Sequence, residues 1–134
     1  MDVELLQTHI GVDLNTGVSV GPGTLVNICS GSGLAGGSMK GQLADASDSK
    51  AAHGFALTSG SGTKAAGIAQ RVRIDRVGKV SNVDYITMTP GQTVYLGEDG
   101  KYAIASGTLA QKVGFSIGAN EVFVDLDMQL GASI

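Results

Sequence analysis

Tryptophan is absent from this chain of 134 residues, and its aromatic side chains are three tyrosines and three phenylalanines. A core with so few rings draws its burial energy from aliphatic side chains, about 1.5–3 kcal/mol for each fully buried Val, Leu or Ile. Rings free to stack on sugars are correspondingly scarce. Cys29 is the one cysteine, which excludes an intramolecular disulfide and a cysteine-ligated zinc and fits a reducing compartment. Its expected place is the core, as a small apolar residue. Nine basic residues against twelve acidic ones give a net charge of −3, no field for wrapping nucleic acid. Long apolar runs are missing too, and Met1-Asp2-Val3-Glu4 lacks the basic start of a signal peptide. The reading is therefore no membrane and no secretion by that route.

Glycine is plentiful, with 21 residues against a usual share of about 7%, and a glycine-rich chain has many turns. One short pattern occurs twice: Pro22-Gly23-Thr24-Leu25-Val26-Asn27-Ile28 and Pro90-Gly91-Gln92-Thr93-Val94-Tyr95-Leu96 both read P-G-x-x-V-x-aliphatic. Each is followed by Gly-Phe-small-aliphatic, at Gly54-Phe55-Ala56-Leu57 and Gly114-Phe115-Ser116-Ile117. Each of these is followed by an alternating strand, Arg71–Asp75 and Glu121–Met128. Period-two alternation bounded by Gly and Pro turns marks strands. The expected fold class is all-β: a small antiparallel β-barrel or sandwich built from two pseudo-repeated three-strand units, with an N-terminal arm.

The expected organisation is an arm over 1–20 without a counterpart in the second half, one β-domain over 21–130, and a short tail over 131–134. An arm of this kind either adds a strand to its own sheet or lies on a neighbour. Leu25 to Cys29 reads as a strand, Ser30 to Ala52 as a long loop with one short strand near Gly41 to Leu43, and Phe55 to Ile74 as a hairpin bent at Ser59-Gly60-Ser61-Gly62. Val77-Gly78 reads as a bulge. In the last hairpin, turned at Gly118-Ala119-Asn120, Val113, Phe115 and Ile117 are expected to share one buried face, opposite Val122, Val124, Leu126 and Met128.

The candidates for chemistry are weak. Gly31-Ser32-Gly33-Leu34-Ala35-Gly36 spells G-x-G-x-x-G, but no amphipathic helix follows and His53-Gly54-Phe55 stands where an acidic strand end is needed, so a flexible loop is expected in place of a dinucleotide site. Asp125, Asp127 and Glu121 share one strand face and are expected to be a solvated face that discourages edge aggregation. Asp45 and Asp48 lack calcium-loop spacing. His9 and His53 sit in no triad or metal-ligand spacing and are read as structural. Arg71, Arg73 and Arg76, with Lys79 close by, lie on or near a strand face and are candidates to meet acids on a partner. No catalytic residue, metal ligand or cofactor is expected, and the chain is read as not an enzyme.

The order Ala51-Ala52-His53-Gly54-Phe55-Ala56-Leu57, then Val72-Arg73-Ile74-Asp75, then Met88-Thr89-Pro90-Gly91-Gln92-Thr93-Val94-Tyr95-Leu96, then Ala110-Gln111-Lys112-Val113-Gly114-Phe115 resembles the head decoration (cement) and head-fibre base proteins of tailed bacteriophages, and similar β-modules in tail fibres. The similarity covers roughly residues 44–128. It implies a compact β-domain, a trimer in many members of that group, that sits on the outer capsid surface, binds the major capsid protein and stabilises the shell, with no catalytic residues to carry over. Self-association is expected independently, because a core poor in aromatics gains from burying more surface, most simply as a closed ring. Val3, Leu5 and Leu6 are the expected capsid or neighbour contacts, together with Arg71, Arg73 and Arg76. The alternative expectation is a tail-fibre or adhesin module that recognises a host glycan.

Overall fold

The computed structural model describes residues 9–15, 17–30, 39–62 and 71–127. Among them it is all-β, without a helix. Twelve strands follow in order: β1 (His9–Leu14), β2 (Ser19–Val20), β3 (Leu25–Ser30), β4 (Met39–Leu43), β5 (Gly54–Ala56), β6 (Gly60–Ser61), β7 (Arg71–Asp75), β8 (Val77–Val80), β9 (Thr93–Leu96), β10 (Tyr102–Ala103), β11 (Lys112–Gly118) and β12 (Glu121–Asp125). The first half closes into a barrel in the order β1-β4-β3-β5-β7, the second forms an open sheet in the order β10-β9-β11-β12-β8, and β2 pairs with β6 in a small ribbon.

The repeated sequence pattern is one part of a larger internal symmetry. Cut between β1 and β4, the barrel reads β4-β3-β5-β7-β1, and position for position this is β10-β9-β11-β12-β8. Each half therefore has five strands, and β1 corresponds to β8. The register agrees: His9, Ile10, Gly11 and Val12 oppose Asp75, Ile74, Arg73 and Val72, as Val77, Gly78, Lys79 and Val80 oppose Asp125, Val124, Phe123 and Val122. Of the two courses expected for the arm over 1–20, the described residues take the first: they add a barrel strand from His9 onward and a ribbon strand at Ser19–Val20. Val12 and Leu14 are fully buried in the barrel. Sequence comparison misses this strand because its match to β8 lies in the strand pairing, and among the side chains only in Val12 and Val80.

The two Pro-Gly turns are copies at the level of single hydrogen bonds. Thr24 N donates to Gly21 O (3.1 Å) and Gln92 N to Thr89 O (3.0 Å), around Gly23 at φ 88° and Gly91 at φ 85°. These are type II turns, with Pro at the second position and Gly in the left-handed region at the third. Gly23 N then donates to Ala56 O (2.7 Å) and Gly91 N to Ser116 O (2.8 Å). Their surroundings differ. Gly23 is buried against Val80 of the other half and its carbonyl accepts the Tyr102 hydroxyl at 2.6 Å, whereas a Cβ at Gly91 would point into open space. The first turn therefore fills the gap between β8 and β10, the gap that β1 and β4 close in the barrel with the fold's one parallel pairing among the named strands, Asp13 to Lys40 and Leu14 to Gly41.

Two cores result. Val12, Leu14, Val20, Val26, Ala56, Val72 and Ile74 fill the barrel. The larger core joins Leu25, Ala44, Ala46, Ala52 and Phe55 of the first half to Val94, Leu96, Tyr102, Val113, Val122, Val124 and Leu126 of the second.

Three local expectations change. Val77-Gly78 is no bulge: after Asp75 the chain bends at Arg76 and leaves the barrel for the second sheet, where Val77–Val80 pairs with β12. Gly60-Ser61 is a strand of the β2–β6 ribbon and not only a bend. In β11 the expected common face breaks. Val113 is buried, but Phe115 and Ile117 are 43% and 41% exposed. A register shift against β9 between Lys112 and Gly114 places two successive residues inward and reverses the alternation from there on. Gly114 permits the bulge, since a Cβ there would lie 2.0 Å from the Phe123 carbonyl oxygen. Ser116 takes the buried position instead, its hydroxyl donating to Thr89 O and accepting from Gln92 N at 3.0 Å, so no polar group is left unsatisfied.

Candidate functional site

The arginines of the first half do not act as one row. Arg71 reaches Asp13 on the neighbouring strand at 3.2 Å, and Arg73 is exposed. Arg76, at the crossing between the sheets, is used internally: Nη1 donates to His53 O (2.9 Å), Nη2 to Leu126 O (3.3 Å) and Nε to Asp127 Oδ1 (2.6 Å). His53 beside it accepts the Ile28 amide on Nδ1 at 2.9 Å. Burial, and then the Arg76 charge, hold its pKa below the usual histidine value. This is the neutral imidazole of a structural residue.

Both ends of the described chain meet at this crossing. His9 is the strand partner of Asp75, the residue before Arg76, while Asp127 is bound by the Arg76 side chain and Leu126 N donates to Arg76 O at 3.0 Å. The described chain therefore begins and ends beside this crossing between the barrel and the second sheet. The expected contacts Val3, Leu5 and Leu6, the tail 131–134, Met128 and the glycine run Gly31–Gly36 lie outside the described residues.

The carboxylates are occupied locally. Asp45 accepts from the Ser47 hydroxyl and amide (2.6 and 2.9 Å), which holds its pKa below the usual value. Asp48 pairs with Lys50 at 2.9 Å, raising the lysine. Among the described residues no group of three or more His, Cys, Asp or Glu is placed to hold a metal ion. Cys29 is partly buried on β3 rather than fully in the core.

Two surface features were not legible in the sequence. One is a cleft of about 420 Å³ lined by Ser47, Tyr85, Glu98, Asp99, Lys101 and Thr108, among others. Tyr85 is half exposed, its hydroxyl fixed by the Tyr102 amide at 2.8 Å, with the Lys101 ammonium 5.6 Å from its ring centroid. Burial raises the Tyr85 pKa, opposed by that amide bond. The other feature is the outer face of the second sheet, where Phe115 and Phe123 touch with ring centroids 5.4 Å apart. The signal that could have found it is Gly114, since a glycine in an alternating strand marks a bulge.

No protein-family profile matches the chain, and no curated protein or solved structure is significantly similar to it.

Proposed function

We propose that this chain is a structural virion protein that binds the outside of a tailed-phage capsid and stabilises the shell. The observation that carries the reading is that the described chain of a duplicated β-scaffold begins and ends at one place, beside Arg76. Such a domain can attach by its terminal segment, where Val3, Leu5 and Leu6 supply apolar side chains. The resemblance of residues 44–128 to decoration proteins supports the same reading. Stabilisation follows by mass action, because a ligand that binds only the assembled shell adds about 2.7 kcal/mol per site at a hundredfold excess over Kd. Co-sedimentation with expanded capsids tests it. The full chain is expected to pellet with the shells, and a chain lacking residues 1–8 to stay in the supernatant. Equal pelleting of both would remove the anchoring role of that segment, and no pelleting of either would end the capsid reading.

A second reading, a module that recognises host glycan, is favoured by the cleft at Tyr85. A half-exposed ring with carboxylates, an ammonium and hydroxyls around it suits a sugar, which stacks its apolar face and bonds through its hydroxyls. It predicts cell-surface binding that is lost in Tyr85→Ala, with capsids ignored.

A further inference from the structure

The cleft at Tyr85 is built from four segments that backbone bonds hold in place. Ser47 comes from the loop after β4, Tyr85 from the loop after β8, Glu98, Asp99 and Lys101 from the turn between β9 and β10, and Thr108 from the loop after β10. Ala46 N donates to Gly97 O (2.9 Å), Leu109 N to Ala46 O (2.9 Å) and Lys101 N to Glu98 O (3.0 Å). Gly107 lets the last wall close up, since a Cβ there would lie 2.9 Å from the Ala46 Cβ. The cleft is therefore preformed, and little of it has to be ordered when a ligand enters. We propose that it takes a sugar bearing a free amino group, with the apolar ring face against Tyr85, the ammonium beside Glu98 and Asp99, and hydroxyls bonded by Ser47 and Thr108. The inference rests on the glycan reading and is indifferent to the capsid one.

Three observations give the ligand this chemistry. First, the ring already holds a cation. The Lys101 ammonium lies 5.6 Å from the Tyr85 ring centroid, and the face of an aromatic ring attracts positive charge. Second, carboxylates outnumber the ammonium. Glu98 and Asp99 are both exposed on the lining, Asp45 stands beside Asp99, and among the described residues none of the three is in an ion pair. The excess is negative, so a cationic sugar is attracted and a sugar acid repelled. Third, the edge does not suit an added peptide strand. β10 is the outermost strand beside the cleft, and the Tyr102 amide, which would bond such a strand, is taken by the Tyr85 hydroxyl at 2.8 Å. The same bond fixes the half-exposed ring and leaves its face to a ligand.

One exposed ring with polar neighbours makes a weak site, with a Kd expected at about 1 mM. Firm attachment then comes from many copies engaging one glycan surface together.

Calorimetric titration of the full chain at about pH 6, where an ordinary amine is protonated, tests the inference with tetramers of glucosamine, N-acetylglucosamine and galacturonic acid. The glucosamine tetramer is expected to bind at least about tenfold more tightly than the N-acetylated one, and the acid not to bind. Tyr85→Ala is expected to abolish binding, and Glu98→Gln combined with Asp99→Asn to remove the preference. Lys101→Met is expected to tighten the amine at least about threefold, by freeing the ring and removing a like charge. Far-ultraviolet circular dichroism confirms that each variant is folded, and a gain of affinity is a result that misfolding does not give. A neutral or acidic tetramer that binds as well as the amine, and is lost in Tyr85→Ala, overturns the inference and leaves the glycan reading standing. Amine binding that survives Tyr85→Ala, or that weakens in Lys101→Met, also overturns it. A wild type that binds none of the three tetramers and nothing on a wider glycan array removes both the inference and the glycan reading, and a lysine-rich peptide bound through Tyr85 instead would assign the cleft to a protein.

Discussion

His53 and Gly114 show how single residues fix the backbone. The His53 ring accepts an amide on Nδ1 and sits partly buried beside a guanidinium, so the folded chain resists protonating it. The unfolded chain protonates it near pH 6.5. A lowered folded-state pKa means that the unfolded state binds more protons below that point, so the stabilisation is complete above about pH 6.5 and declines as the pH falls through the lowered value. Urea midpoints measured from pH 7.5 to 5 are expected to fall on acidification, and less steeply in His53→Gln, which keeps an acceptor without titrating. Gly114→Ala is expected to cost about 3 kcal/mol, because the new methyl would meet a backbone carbonyl oxygen that cannot swing away. A cost under about 1 kcal/mol would mean that the bulge relaxes. The histidine was legible as structural from its isolation in the sequence. The need for glycine at 114 was not, since the close approach comes from the neighbouring strand.

At the scale of elements, the crossing from β7 to β8 decides the architecture. One bend at Arg76 carries the chain from a closed barrel to an open sheet, and Arg76 holds the junction by donating to carbonyls of both halves, His53 O and Leu126 O. Its ion pair with Asp127 has partners 42% and 57% exposed, and such pairs contribute about 0–1 kcal/mol. Hydrogen bonds from a charged donor to backbone carbonyls contribute more. Arg76→Ala is therefore expected to lower the unfolding free energy by about 2 kcal/mol and Asp127→Asn by less than about 0.5 kcal/mol, read from denaturant titrations. Equal losses would show that the ion pair, and not the carbonyl contacts, holds the crossing. The alternation of Arg71, Arg73 and Asp75 against Val72 and Ile74 was readable in the sequence. Arg76 read as a continuation of that charged row, because nothing local says that the next strand joins a different sheet.

At the scale of the molecule, two similar halves have unlike surroundings. The first buries Leu25 and Phe55 under the second, while the second leaves the corresponding Thr93 and Phe115 in solvent. Phe55→Ala is therefore expected to cost about 3–5 kcal/mol and to destabilise both halves in one transition, because the shared core couples them. Phe115→Ala is expected to cost less than about 1 kcal/mol. Calorimetry on both variants checks this, and separate transitions for the two halves would show that each folds alone.

The sequence by itself determined the all-β class, the Pro-Gly turns, the duplicated strand pattern and the inward faces of β7 and β12. Each of these is written in local backbone preference or in a period of two along a single strand. The tertiary structure alone decided that residues from His9 belong to the barrel, that one half closes and the other stays open, that Arg76 is a junction, and that Phe115 and Ile117 face outward. Each of these depends on what lies across from the residue: a strand's partner, a turn filling the gap between edges, or a carbonyl 2.0 Å from where a Cβ would stand. A period along one chain carries no record of the register between two.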